Sequence, residues 1–144
     1  MGRAYNYINF HRDSPLECEN LVLTCFDFRF RKGISDLLPY AGFREFDLIS
    51  LPGASQALVN EESREVALRA IELAISLHKV KRVVVIDHED CAACGGSKAF
   101  AGSEDEEAFH AESLRKAGGI LRDRFDGIEI ATFYAGWWQM KALG

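Results

Sequence analysis

Two short clusters of polar residues combine side chains that bind soft metal ions with side chains that control protons. The first cluster is Cys25-x-Asp27-x-Arg29, and the second is His88-x-x-Cys91. Two thiolates and one imidazole are ligands that suit Zn²⁺. Structural zinc sites usually have four protein ligands, whereas catalytic sites leave one position free for water. We therefore predict that Cys25, His88 and Cys91 hold Zn²⁺ in an open site.

Asp27 and Arg29 are predicted to control the fourth position of that metal. Residues two apart in an extended segment point the same way, so Cys25, Asp27 and Arg29 should share one face. Asp27 could bind the metal itself or accept a hydrogen bond from a bound water. Arg29 can pair with the carboxylate and hold it off the metal. This pair would decide whether the site is open or closed.

Apolar segments that alternate with helical patterns must position these clusters. The patterns predict strands at 21–25, 46–51, 82–87 and 128–134, and helices at 33–40, 63–77 and 104–125, the last broken at 118–119. Such alternation predicts an α/β fold, a three-layer sandwich around a mostly parallel sheet. Each cluster directly follows a strand, so both should leave the same edge of the sheet. If those strands are neighbours, roughly 5 Å apart, the three ligands can converge.

Length and charge limit the classes of protein to which the chain can belong. Its 144 residues suit one zinc-binding α/β domain at 20–144, preceded by an arm or short helix at 1–19. The net charge of −5, with scattered basic residues, argues against a nucleic-acid partner. No apolar run approaches the ~20 residues that span a membrane, and the first residues lack a secretory pattern. We therefore expect a cytoplasmic protein without a membrane partner.

The two motifs, in this order and at these strand ends, resemble those of the β-class carbonic anhydrases over residues 21–134. The resemblance implies the family's fold, with zinc on Cys25, His88 and Cys91. It also implies that Asp27 and Arg29 form the catalytic dyad. The implied reaction is the reversible hydration of carbon dioxide to bicarbonate by zinc-bound hydroxide. Members of the family are dimers or higher homo-oligomers, with the cleft at a subunit boundary.

Three departures from the family's pattern leave other functions open. Ala92 replaces a usual glycine, Phe28 replaces a small residue, and residues 51–54 replace a polar turn. Phe28 is expected to make the pocket more apolar, which favours hydrolysis of carbonyl sulfide or carbon disulfide as an alternative. A third possibility is a structural or redox zinc protein in which Asp27 or Cys94 completes the metal shell.

Structural roles are weighed beside functional ones for the other cysteine, histidine, acidic and tryptophan residues of interest. Cys94 forms a C-x-x-C pair with Cys91, but a small packed residue is the favoured interpretation over a redox partner or a fourth ligand. Surface or capping roles are expected for the other histidines, which are His11, His78 and His110. Glu89 and Asp90 could orient His88, relay protons or form an exposed turn. The Trp137-Trp138 pair is expected either at a subunit contact or on the chain's own core.

Overall fold

The computed structural model describes residues 2–143, in which strands and helices alternate along the chain. The elements are β1 (Asn20–Thr24), α1 (Phe28–Leu37), β2 (Asp47–Ser50), α2 (Ser55–Val59), α3 (Glu61–His78), β3 (Arg82–His88), α4 (Ser103–Arg124), β4 (Glu129–Ala135) and β5 (Met140–Ala142). Two short 3₁₀ turns, Ala92–Cys94 and Ser97–Ala99, connect β3 to α4. No helix within 2–143 is long and apolar enough to cross a membrane.

The five strands form one sheet in the order β2-β1-β3-β4-β5. The first four strands are parallel, and β5 pairs with β4 in the antiparallel sense. β1 and β3 are direct neighbours, with Leu21 opposite Val83 and Thr24 opposite Ile86. The mostly parallel α/β sheet is therefore confirmed, and the two strands that precede the polar clusters end side by side.

Helices cover both faces of the sheet because the central strands are apolar on consecutive residues. On one face, Leu21 and Val83 pack in a cluster with buried residues of α2, α3 and α4. On the other face, Val22 and Val84 pack against Phe30 and other residues of α1. Strands buried on both sides read as continuous apolar runs, as these do. The three layers predicted from the sequence are present.

Helix α1 begins five residues earlier than the predicted start at residue 33. Asp27 caps it, since its Oδ1 atom accepts the backbone N–H of Arg29 at 2.9 Å. A carboxylate in this place satisfies a backbone donor that the first turn leaves unpaired. The expected extended segment with Cys25, Asp27 and Arg29 on one face is therefore wrong. Asp27 and Arg29 meet across a helix start instead.

Three further elements differ from the sequence pattern. Helix α4 runs unbroken through Gly118 and Gly119. A glycine costs about 1 kcal/mol relative to alanine inside a helix, and the buried contacts of Ala117 and Leu121 on either side offset that cost. The short elements α2 and β5 were not predicted. Residues 2–19 contain neither helix nor strand, so the alternative of a short N-terminal helix is wrong.

Candidate metal centre

The three predicted ligands meet at the carboxyl ends of β1 and β3. Cys25 follows β1, His88 is the last residue of β3, and Cys91 lies three residues further on. Their ligand atoms all lie within 4.8 Å of one another, and the two Sγ atoms are 4.0 Å apart. A tetrahedral zinc ion with Zn–S bonds of 2.3 Å holds two sulfurs about 3.8 Å apart. The observed separation therefore suits one shared metal ion.

His88 presents one ring nitrogen to this group in the form that a metal needs. The side chain is 1% exposed, and its Nδ1 atom donates to the backbone carbonyl of Glu89 at 2.7 Å. The proton on Nδ1 leaves the lone pair on Nε2. Nε2 is buried and has no hydrogen-bond partner within the described residues. Because an unpaired buried polar atom is costly, a metal ion at this point would satisfy it.

The two thiols are held in a partly buried and polar setting. The backbone N–H of Gly53 donates to Cys25 Sγ at 3.4 Å. The hydrogen bond with Cys91, and then burial, raise the pKa of Cys25 to about 12. The hydrogen bond with Cys25 lowers the pKa of Cys91, but Cys94 and burial outweigh it and raise that pKa to about 11. Without a metal, both sulfurs therefore carry protons at neutral pH.

Asp27 faces the ligand group but is paired with Arg29. Its Oδ2 atom lies 3.8 Å from His88 Nε2. Arg29 grips the carboxylate with two nitrogens, Nε to Oδ1 at 3.0 Å and Nη2 to Oδ2 at 2.6 Å. These hydrogen bonds hold the pKa of Asp27 below its usual value, so the carboxylate stays ionised. The predicted pair is thus assembled, with Asp27 within reach of the site and restrained beside it.

The remaining faces of Arg29 are also occupied. Nη1 donates to Asp90 Oδ2, and Nη2 donates to the Asp90 carbonyl, both at 2.9 Å. The guanidinium lies 5.1 Å above the ring of Trp137. Asp90 lies in the half-buried turn after β3, so a turn was among the alternatives left open for it, whereas its contact with Arg29 was not predicted. Glu89 contacts the ring of His88 through its main-chain carbonyl, and its carboxylate takes no part in this hydrogen bond.

Residues 17–143 match a family model described as "Putative carbonic anhydrase". The chain belongs to this carbonic anhydrase family. It is 33% identical to an uncharacterized protein of Rickettsia conorii over 135 residues, which is 89% of this chain and 73% of the relative. It is also 33% identical to an uncharacterized protein of Rickettsia bellii over 133 residues, 88% of this chain and 81% of the relative. The family resemblance drawn from the two motifs is confirmed.

Solved carbonic anhydrases share the fold of this family member. Superposition on the carbonic anhydrase from Glaciozyma antarctica gives a TM-score of 0.57 at 19% identity, covering 90% of this chain and 85% of the other. A tetrameric β-carbonic anhydrase from Sordaria macrospora gives 0.62 at 15% identity, covering 88% and 81%. At these identities the likeness concerns the fold. It confirms the predicted β-carbonic anhydrase-like architecture.

A cavity of about 500 Å³ opens beside Cys25 and His88 in this carbonic anhydrase family member. Its apolar lining comes from α1 and the adjoining strands, and includes Phe26, Phe30, Ile34, Leu38, Phe46 and Leu48. Phe28 does not line it, and its side chain is 81% exposed. The expectation that Phe28 makes the pocket more apolar is therefore wrong, because other residues form the apolar surface. Phe26 and Phe30 supply the aromatic surface.

Cys94 does not join the ligand group, which within residues 2–143 consists of Cys25, His88 and Cys91. It ends the 3₁₀ turn that follows Cys91 and is half-buried. The interaction with the Cys91 thiol lowers the pKa of Cys94 and outweighs the opposing effect of burial. The position agrees with the favoured interpretation of a small packed residue.

His110 was expected at the surface or in a cap, and that expectation is wrong. It is 1% exposed, and its Nδ1 atom lies 2.7 Å from Asp87 Oδ2. Asp87 also accepts hydrogen bonds from the backbone N–H and the hydroxyl of Ser55. A signal was present in the sequence, because His110 lies four and seven residues before Leu114 and Ala117. That spacing places it on the buried face of α4.

Glu106, in the acidic first turn of α4, was also missed. Its side chain is 2% exposed. Oε2 accepts the backbone N–H of Asp90 at 2.7 Å, and Oε1 accepts the hydroxyl of Ser97 at 2.8 Å. Helical spacing again gives the signal, because Glu106 lies one turn before His110 on the same buried face. It fixes the loop that carries Asp90 and Cys91.

The other histidines and the tryptophan pair lie at the edges of the fold. His78, the last residue of α3, pairs with Asp47 of β2 at 2.8 Å rather than capping the helix, and His11 is exposed. Trp137 packs on Phe30 with ring centroids 4.6 Å apart. Trp138 is 97% exposed on the single chain. A subunit contact at Trp138 stays a prediction.

Proposed function

We propose that the chain is a zinc-dependent carbonic anhydrase that reversibly hydrates carbon dioxide to bicarbonate. One observation carries the proposal: Cys25 Sγ, Cys91 Sγ and His88 Nε2 converge within 4.8 Å, beside a carboxylate that is held off them. Zinc, when bound, supplies a Lewis acid that lowers the pKa of a coordinated water toward neutrality. The two sulfurs and the ring nitrogen are the atoms that would hold it.

The other side chains act on water and substrate. Asp27 Oδ2 accepts a hydrogen bond from the water that attacks carbon dioxide, and so orients that water. Arg29 keeps the carboxylate ionised and fixed through its two-nitrogen grip. The cavity beside Cys25 has a mostly apolar surface, although Arg31, Lys32 and Asp36 also line it, and this surface suits an uncharged, linear molecule.

The same cavity supports a second candidate reaction. Carbonyl sulfide and carbon disulfide are linear like carbon dioxide, but larger and more polarisable. The aromatic surface of Phe26 and Phe30 suits them at least as well. Hydrolysis of these molecules at the same zinc site is therefore the alternative function.

The protein is further proposed to act as a homodimer or higher homo-oligomer in the cytoplasm. Ligation by Cys25 and Cys91 requires reduced thiols, and a reducing compartment maintains them. Exposed apolar side chains outside the site, Trp138 among them, supply surface for contacts between copies.

Stopped-flow hydration of carbon dioxide by the zinc-loaded protein tests the proposal. Asp27→Ala is expected to lower kcat/KM by about 10²- to 10⁴-fold, the range for losing a positioned proton acceptor. Glu112→Ala is the matched control, since Glu112 pairs with Arg115 on the exposed side of α4. A wild-type rate no faster than buffer contradicts the proposal. A larger kcat/KM for carbonyl sulfide in the parallel assay selects the alternative.

The visible spectrum of the cobalt-substituted protein tests the non-catalytic possibility separately. Sulfur-to-cobalt charge-transfer intensity scales with the number of thiolate ligands, and the site as arranged predicts two. Cys94→Ser should leave the spectrum unchanged, because Cys94 does not join the ligand group. A spectrum with three thiolates that loses one in Cys94→Ser would establish a closed site.

A further inference from the structure

Two carboxylates, not one, hold Arg29. Asp27 accepts a hydrogen bond from Nε of Arg29. The Asp90 carboxylate accepts one from Nη1, and the Asp90 backbone carbonyl accepts one from Nη2. Asp90 comes from the loop after β3, whereas Asp27 and Arg29 come from the start of α1. The pair beside the metal ligands is therefore tied to a second, separate element of the fold.

Asp90 is itself held in place by contacts that do not involve Arg29. Its backbone has φ +57°, a left-handed conformation that costs a non-glycine residue free energy unless local contacts support it. Two such contacts are present. Its N–H donates to the buried carboxylate of Glu106 at 2.7 Å, and its Oδ1 atom accepts the N–H of Ser97 at 2.8 Å. The remaining oxygen, Oδ2, is thereby aimed at Arg29.

A fixed Asp90 matters because a long arginine side chain loses rotamer freedom when it pairs. Contacts with Asp90 and with the ring of Trp137 hold the Arg29 guanidinium in place independently of its pairing with Asp27. Asp27 then meets a preorganised fork rather than a mobile side chain. Preorganisation of one partner strengthens a pairing without adding a contact between the two.

We propose that Asp90 is a positioning residue, which fixes Arg29 and through it keeps the Asp27 carboxylate away from the metal's open position. The proposal rests on the metal site of the proposed function. Glu106 supports it from α4 by holding the backbone of Asp90. When Asp90 no longer holds Arg29, Asp27 is released more often, and its Oδ2 atom is already within 3.8 Å of a ligand nitrogen.

Azide titration of the cobalt-substituted protein measures how accessible the open position is. Azide binding changes the visible cobalt bands and requires no turnover of carbon dioxide. Asp90→Ala is expected to weaken azide binding about 10-fold, the scale of one lost hydrogen bond to a charged group. Asp90→Asn retains an oxygen for the Ser97 N–H and removes the charge facing Arg29, so it tests the pairing with the loop intact. Glu112→Ala is the control and should bind azide as wild type does.

The decisive comparison repeats the Asp90 substitutions in an Asp27→Ala background. If Asp90 acts through Asp27, its replacement there changes azide affinity by less than about twofold. An equal loss in both backgrounds, or no loss in either, overturns the proposal, as does a wild-type protein that takes up no cobalt. A dependence on Asp27 in a protein that does not hydrate carbon dioxide would uphold the positioning role and reject the proposed function.

Discussion

The sulfur atoms of Cys25 and Cys91 lie 4.0 Å apart, and each thiol keeps its proton at neutral pH. The pKa of Cys25 is raised to about 12 and that of Cys91 to about 11. Burial lowers the pKa of His88, but the nearby Cys25 side chain and the Glu89 carbonyl together raise it by more, so this pKa lies above its usual value. A metal ion must displace these protons, since only thiolates and neutral imidazole are ligands.

Zinc binding is therefore expected to release at least about two protons per ion at pH 7. Protons compete for both thiols below pH 11, so zinc affinity should rise as pH rises and fall as pH falls. Calorimetry in two buffers with different ionisation enthalpies counts the protons. Cys91→Ser should release about one fewer, and Cys18→Ser, outside the ligand group, should match wild type. A heat independent of the buffer would contradict the prediction.

At the scale of elements, the turn after β2 carries Gly53, whose N–H reaches Cys25. Gly53 has φ +77°, and a Cβ atom there would lie 2.9 Å from the Cβ of Gln56. Gly53→Ala is expected to destabilise the fold by about 1–3 kcal/mol and to weaken zinc binding as the turn shifts. Urea unfolding of the metal-free protein and a zinc competition assay measure the two effects.

Gly42 provides the matched control for that turn. It also has a left-handed backbone, φ +97°, but a Cβ atom there would meet nothing within 4 Å. Gly42→Ala should therefore cost only the backbone strain, about 1–2 kcal/mol, and leave zinc affinity unchanged. Equal zinc affinities for the two variants would show that the turn does not support Cys25.

A second element-scale prediction concerns Asp87, the buried residue of β3 that precedes the ligand His88. Asp87→Ala leaves the N–H of Ser55 and the ring of His110 without their acceptor. Removing one member of such a buried group is expected to cost about 3–5 kcal/mol in the free energy of unfolding. Glu129→Ala, which breaks the exposed pair with Arg82, should cost less than about 1 kcal/mol. Similar midpoints of urea unfolding would contradict this difference.

The sheet and the ligand group could be predicted because they depend on local patterns. The apolar run of β3 marks its own strand, and a chain that leaves a parallel strand must leave at its carboxyl end. The start of α1 at Phe28 and the burial of Glu106 depend on partners that local patterns do not name. Asp27 looks the same in sequence whether it continues a strand or caps a helix. Its backbone contact with Arg29 decides between the two.

At the scale of the whole molecule, the single chain leaves large apolar side chains in contact with water. On residues 2–19 these side chains are Tyr5, Tyr7, Ile8, Phe10 and Leu16. Trp138 is exposed as well, in the β4–β5 turn. Apolar groups gathered on one exposed segment are commonly covered by another surface, because burying each of them stabilises the assembly. In the proposed homo-oligomer, a second copy of the chain would cover these apolar side chains.

Light scattering coupled to size exclusion is accordingly expected to give a mass at least twice that of one chain. Replacing the packed rings of Tyr7 and Phe10 by serine, singly and together, should lower the mass at a given concentration, because less apolar area is buried between copies. Val66→Ser is the control, as an exposed apolar residue on the polar side of α3. A wild-type mass of one chain at every concentration would reject the oligomer. An unchanged mass in the double variant would show that the arm lies outside its interface, which leaves Trp138 as the next residue to replace.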